Sequence, residues 1–188
     1  TTKNTASENP ECQSLLALKV RMDEILSRNC YIAKSEYRSV LLNEKKLVEF
    51  FGVLKNSNML ESFCENNNFN VSVAEDTLTQ YMNFEALADE HNETFIRNTM
   101  TSDKAYLDNI LRDVDPQIKL DDDQRRVILT DEDYCLVIAG AGAGKTTTVA
   151  AKVKYLVEKK GIDPTEILVV SFTNKAVQEL RDKLNRDL

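Results

Sequence analysis

Histidine, paired cysteines and long apolar runs are what this sequence has little of. His91 is the single histidine, and the four cysteines (Cys12, Cys30, Cys64, Cys135) stand far apart with no C-x-x-C pair. That combination argues against a zinc site and a disulfide framework. It fits a reducing, cytoplasmic setting, with Cys135 read as a small core residue. No apolar stretch approaches the roughly 20 residues that span a bilayer. Residues 1–10 are polar and lack the apolar segment of a signal peptide. The chain does not open on Met, as expected of a processed chain or a piece of a longer one. Positive charge is also short: 24 Lys and Arg face 31 Asp and Glu, for a net charge of −7. A surface that traps nucleic acid over its whole extent is excluded by that balance.

What is present is unevenly spread. From Gly144 onward nine Lys and Arg outnumber six Asp and Glu, so of the total −7 that part carries +3 and the preceding residues −10. With 42% apolar residues and a mean hydropathy of −0.39, the 188 residues can bury the core of one or two domains. Helical spacing of apolar residues predicts a helix over 11–28 and a second from Ser35 to about Leu54, its core face including Val40, Leu41, Leu47, Val48, Phe50 and Phe51. Asn56–Asn58 and Asn66–Asn68 read as breaks around a short helix. A long helical stretch follows from about Leu78 to Val114, with a candidate interruption near Thr99–Ser102, and Asp115–Pro116 marks a boundary. The pattern then changes: a short helix at Asp121–Leu129, a strand at Cys135–Ala139, a helix at Lys145–Lys159 stopped by Gly161, a turn at Asp163–Pro164, a strand at Ile167–Ser171 and a helix at Lys175–Leu188. Two parts are therefore expected, an all-helical region over 1–116 and an α/β nucleotide-binding domain opening over 117–188. Strand, helix and strand with a phosphate loop at the first turn predict a parallel α/β sheet of the P-loop NTPase kind.

The loop itself is the most informative segment. Ala139–Gly140–Ala141–Gly142–Ala143–Gly144–Lys145–Thr146–Thr147 follows the apolar run Leu136–Ile138 and opens a helix. A loop of glycines and alanines can turn its backbone N–H groups inward around phosphate oxygens, because no side chain larger than methyl blocks it. Helix entry at Gly144–Lys145 adds unsatisfied N–H donors and the positive end of the helix dipole. Lys145 is the candidate catalytic cation, reaching the β and γ phosphates, and the Thr146 hydroxyl is the candidate Mg²⁺ ligand. The pattern usually begins with Gly, and here Ala139 stands in that place. Hydrolysis also needs an acidic residue at the end of another apolar strand. The second apolar run ends instead in Ser171–Phe172–Thr173. The expectation is a chain that holds ATP and Mg²⁺ without the full set of catalytic partners.

Two flanking segments narrow the reading. Leu120–Asp121–Asp122–Asp123–Gln124–Arg125–Arg126–Val127 precedes the loop, and Ser171–Phe172–Thr173–Asn174–Lys175–Ala176–Val177–Gln178–Glu179–Leu180 follows the second run. Together with the loop they resemble the front end of a UvrD/Rep-type superfamily 1 DNA helicase. Glu90–His91–Asn92–Glu93–Thr94–Phe95–Ile96 resembles the helicase IV branch. The resemblance covers about 70 residues; residues 1–80 match no family by their motifs. It implies a RecA-like ATP-binding motor and the roles that go with it. Gln124 stands where these helicases place the glutamine that reads adenine, a task suited to an amide with both donor and acceptor; as a residue it also reads as an exposed helix Gln. Phe172, Thr173 and Asn174 match the segment that touches single-stranded DNA; by pattern alone Phe172 continues an apolar strand into the core. Lys175 pairs with phosphate or is solvated.

Three positions depart from the family: Ala143 where Ser is common, Thr147–Thr148 where some relatives place an arginine, and Val177 where Ala is usual. His91 reads as a surface or packed residue, and Asp121–Asp123 as a solvated run or as the cap of the helix carrying Gln124. The resemblance implies an ATP-dependent helicase or translocase acting on single-stranded DNA, with a protein partner for the acidic helical region. The alternative is a nucleotide-sensing interaction module without helicase activity.

Overall fold

Asn9 accepts the backbone N–H of Cys12 and Pro10 fills the first helical position, so helix α1 (Pro10–Leu26) begins with its end groups satisfied. In the computed structural model, which describes residues 7–184, the chain groups into two compact units, one up to Glu93 and one from Thr94 onward.

The first unit is built from α1, α2 (Lys34–Asn43), α3 (Lys45–Asn56), α4 (Leu60–Asn66), α5 (Val71–Met82) and the start of α6 (Phe84–Ser102). Leu15, Leu18, Met22 and Ile25 recur at helical spacing on α1 and are buried against α3 and α5. Tyr37, Val40, Phe51, Leu60, Cys64, Ala74, Leu78 and Phe84 complete the core. Phe50, Phe51 and Phe63 meet edge to face with centroids 5.2–5.8 Å apart.

The helix expected from Ser35 to Leu54 is two helices, broken at Glu44. Asn43, whose side chain competes for local hydrogen bonds, ends α2 and donates to Ser39 Oγ at 3.3 Å. Asn58 and Asn68 adopt left-handed φ of 58° and 50° just beyond α3 and α4. In each case the next residue closes back on the helix, Met59 N on Leu54 O and Phe69 N on Cys64 O, both at 2.9 Å. Asparagine here does what glycine usually does at a helix C-terminus.

The link between α1 and α2 is held from α6. The Asn92 amide accepts from Ile32 N at 2.7 Å and donates to Ile32 O at 2.9 Å, fully satisfying one backbone residue with one side chain. His91 Nε2 donates to Cys30 O at 2.8 Å. Both partners come from the Glu90–Ile96 segment, so in the fold His91 and Asn92 are braces of the α1–α2 link.

The second unit holds the rest of α6, α7 (Lys104–Asn109), α8 (Asp122–Leu129), α9 (Lys145–Glu158), a 3-10 turn (Pro164–Glu166) and α10 (Asn174–Leu184). Helix α9 is central, with α8 and α10 packed on it. Ile128, Leu129, Ala150, Ala151, Val153, Tyr155, Leu107 and Leu111 are buried. Gly161, at φ 69°, ends α9, where Ile162 N bonds Leu156 O at 3.1 Å. The end of the helix expected to reach Leu188 lies outside the described residues.

The α/β expectation is corrected by this unit. Among the described residues there is no strand and no parallel sheet: Cys135–Ala139 and Ile167–Ser171 are irregular. A strand exists only through lateral pairing of its N–H and C=O groups. Among the described residues no backbone hydrogen bond joins these two runs to each other, and Ile167 N closes only the preceding turn, on Pro164 O at 3.2 Å. Leu136, Ile138, Leu168 and Val170 are accordingly exposed instead of forming a sheet core.

Asn92→Ala leaves the buried N–H and C=O of Ile32 without partners. It is expected to lower stability by about 1–3 kcal/mol in denaturant unfolding; an unchanged midpoint would show that water replaces the amide at no cost.

Candidate nucleotide site

Helix α8 starts in a reciprocal cap. The Asp121 carboxylate accepts Gln124 N at 2.8 Å, and the Gln124 side-chain oxygen accepts Asp121 N at 3.0 Å. Asp122 and Asp123 add negative charge in the first turn, where the helix dipole favours it. The Gln124 side chain is thereby fixed in direction, and its Nε2 donates to Ala143 O in the glycine-alanine loop at 3.2 Å.

The loop turns tightly between Gly140 and Ala143, whose N–H bonds Gly140 O at 3.4 Å. Gly142 and Gly144 lie at φ 78° and 75°, a region that favours glycine. At Gly144 the constraint is double, since an added Cβ would sit 2.5 Å from Gln124 Nε2. Gly140, Ala141, Gly142 and Ala143 are exposed and Ala139 is half-buried.

Gly144 is also the N-cap of α9 and has no side chain to cap with. The opening N–H groups of α9, including those of Lys145, Thr146 and Thr147, have no partner within the helix. Its first turn holds no acidic residue. Lys145 Nζ lies across the loop, donating to Ala139 O at 3.1 Å and Gly140 O at 2.7 Å. These donors fit a polyphosphate: they are backbone N–H groups at a helix N-terminus beside the Lys145 ammonium, with no acidic residue in the helix's own first turn.

The loop is held in place from behind. Lys152, two turns further along α9, donates to Ile128 O and Thr130 O at 2.7 Å each, closing the C-terminal end of α8. Burial pushes the Lys152 ammonium below its ordinary pKa, with Asp131 opposing the shift. Helices α8 and α9 are therefore clamped at both ends, by Gln124 on the loop and by Lys152 on the carbonyls.

Phe172, Thr173 and Asn174 lie at the start of α10. The Phe172 ring is fully exposed. Thr173 caps the helix, its Oγ1 accepting Ala176 N at 3.2 Å and its carbonyl accepting Val177 N at 3.0 Å. At the other end of α10, Lys183 Nζ donates to Thr147 Oγ1 at 3.0 Å and to Glu179 at 2.9 Å.

Gln124, the loop 139–144 and Lys145 thus share one place through direct bonds, and Thr146 and Thr147 follow on the same helix turn. No hydrogen bond among the described residues joins Phe172–Asn174 to them directly. A cavity of about 340 Å³ in this unit, lined by Lys104, Asp108, Lys119 and Arg125, includes none of the predicted site residues. Lys152 and Lys183 were not singled out by the sequence, where they are two basic residues among many on helices. The D-x-x-Q spacing of Asp121 and Gln124 was the one local signal of the cap.

Comparison with known proteins bears on residues around this site. The UvrD/REP helicase N-terminal domain family matches residues 120–188. A probable DNA helicase II homolog of Mycoplasma capricolum is 45% identical over 65 residues, which are 35% of this chain and 9% of that protein. The ATP-dependent DNA helicase UvrD1 of Mycobacterium leprae is 32% identical over 91 residues, 48% of this chain and 11% of the relative. The ATP-dependent DNA helicase PcrA of Staphylococcus aureus is 34% identical over 64 residues, 34% of this chain and 9% of the relative. No solved structure matches the chain. Residues 120–188 are a stretch of a UvrD-type superfamily 1 helicase N-terminal domain. The matched residues span about a tenth of the length of these curated relatives.

Gly144→Ala forces a Cβ against Gln124 and strains the backbone, at a cost of about 1–3 kcal/mol. The variant is expected to unfold earlier in a thermal melt and to lose affinity for a fluorescent ATP analogue; wild-type behaviour in both would show that the loop and Gln124 separate freely.

Proposed function

We propose that the protein containing this chain is an ATP-dependent DNA helicase or translocase. In this reading the present residues hold ATP and Mg²⁺ at Gln124 and 139–147, and contact single-stranded DNA at Phe172–Asn174. The observation that carries it is the bond from Gln124 to Ala143, which sets an amide reader beside a phosphate loop.

An amide offers two donors and two acceptor lone pairs. Gln124 spends one donor on Ala143 and one lone pair on Asp121 N. One donor and one acceptor remain, the pair needed to read the amino group and ring nitrogen on one edge of adenine. The backbone N–H groups of the loop and of the α9 N-terminus take the phosphates. Lys145 exchanges the carbonyls of Ala139 and Gly140 for phosphate oxygens, since a charge-assisted bond to an anion is stronger than one to a neutral carbonyl. Thr146 offers its hydroxyl to Mg²⁺, whose chemistry is to neutralise phosphate charge as it develops. The exposed Phe172 ring offers a stacking face for a base, with Thr173 and Asn174 beside it for the strand's backbone. The family match over 120–188 and relatives named as DNA helicases support this reading.

In the intact protein, Lys145→Ala is expected to lower ATPase activity stimulated by single-stranded DNA by about 100-fold or more, read in a coupled assay. ATP hydrolysis indifferent to DNA in the wild type would sink the helicase reading. Phe172→Ala is expected to weaken oligo-dT binding by about 1–3 kcal/mol in an anisotropy titration; equal affinity would remove the ring from the DNA interface.

A further inference from the structure

We infer that Lys183 is a positioning residue of the nucleotide site, the point through which a strand held at Phe172–Asn174 acts on the phosphate loop. This rests on the functional reading above and adds a route between its two sites.

Three observations converge on Lys183. The first is continuity. Helix α10 (Asn174–Leu184) begins within the DNA-contact candidates and carries Lys183 near the last of its described residues. Its 11 residues make a rod of about 16 Å at 1.5 Å per residue. One end is capped by Thr173; the other grips Thr147, the third residue of α9. A strand seated at Phe172–Asn174 orders the start of the same helix whose far part holds the loop helix.

The second is charge. The N-terminus of a helix is its positive end and ordinarily gathers carboxylates, as α8 does with Asp121, Asp122 and Asp123. The first turn of α9 has no acid and carries Lys145. Lys183 brings a second ammonium there, paired among the described residues with Glu179 of its own helix. Two cations at a positive helix end are mutually unfavourable until an anion joins them. The Lys183–Thr147 bond is therefore stronger when phosphate occupies the loop, and by linkage a more firmly seated α10 favours phosphate.

The third is burial. The Lys183 side chain is 16% exposed, far below Lys45 or Lys104, which form ordinary i,i+4 surface pairs at 68% and 66%. Its ammonium is held at Thr147 by the packing of α10 on α9, not by an isolated surface ion pair.

The test measures affinity for a fluorescent, non-hydrolysable ATP analogue by the intact protein, with and without oligo-dT. Coupled sites typically change each other's affinity about 5-fold or more. That tightening is expected in the wild type, is expected to vanish in Lys183→Met, and is expected to return in Lys183→Arg, which restores a donor and a charge. A destabilised helix would reduce binding in both conditions without abolishing their ratio, so the ratio is the readout. Thr147→Val removes the acceptor from the other side, and together with Lys183→Met it should lose no more of the ratio than either alone. A ratio in Lys183→Met equal to wild type overturns the role of Lys183 and leaves the helicase reading intact. A wild type that binds the analogue with no response to oligo-dT overturns both.

Discussion

The position of the glycine-alanine loop depends on what the Gln124 amide does. One end of it closes the cap of α8, the other reaches the Ala143 carbonyl, and the backbone of Gln124 is itself held by Asp121. A side chain pinned at both ends has little freedom left to lose when it binds something further. The requirement for glycine at position 144 comes from its φ of 75°, and a Cβ there would also push the Gln124 amide aside. Cap, loop and helix entry are therefore one unit, and a change to any part alters the geometry of the others.

Helix ends explain why α9 occupies the centre of its unit. Its first turn is a cluster of donors and ammonium groups without a carboxylate. Two turns later Lys152 supplies an ammonium to the carbonyl end of α8, where the dipole is negative. The lysine gives up hydration for this, which is why burial depresses its pKa. Nearby, Lys154 is buried and bridges Asp113 and Glu158, while Lys159 lies over the Tyr106 ring at 4.7 Å. The basic character read from the sequence after Gly144 is thus spent in different ways: part of it faces the loop, and part is consumed inside the fold.

The sequence made legible what is local. Gly161 as a stop, the span of α9, the extent of α8 and a cap at Asp121 all depend on residues within one turn of each other. The glycine-alanine loop declared its backbone demands in the same way. What failed depends on distant partners. Leu136–Ile138 and Leu168–Val170 have β-type composition, yet pairing is a property of neighbours and none pairs with them among the described residues. The break at Glu44 was missed because apolar spacing runs smoothly through it. Asn58 and Asn68 read as polar breaks, but their left-handed turns let Met59 N and Phe69 N close back on Leu54 O and Cys64 O. Lys152 and Lys183 act across 22 to 36 residues of sequence, where spacing carries no signal. Phe172 shows the limit from the other side: pattern assigned its ring to a core, and the ring is exposed.

The two irregular apolar runs also bear on how the chain behaves in solution. Each is short, uncharged and rich in β-branched and aliphatic residues, with Leu136, Val137, Ile138, Leu168 and Val170 exposed and most of its backbone groups outside any ladder. That is the profile of a segment that recruits a second extended chain by edge-to-edge pairing. A net charge of −7 opposes such pairing between copies, because like-charged chains repel.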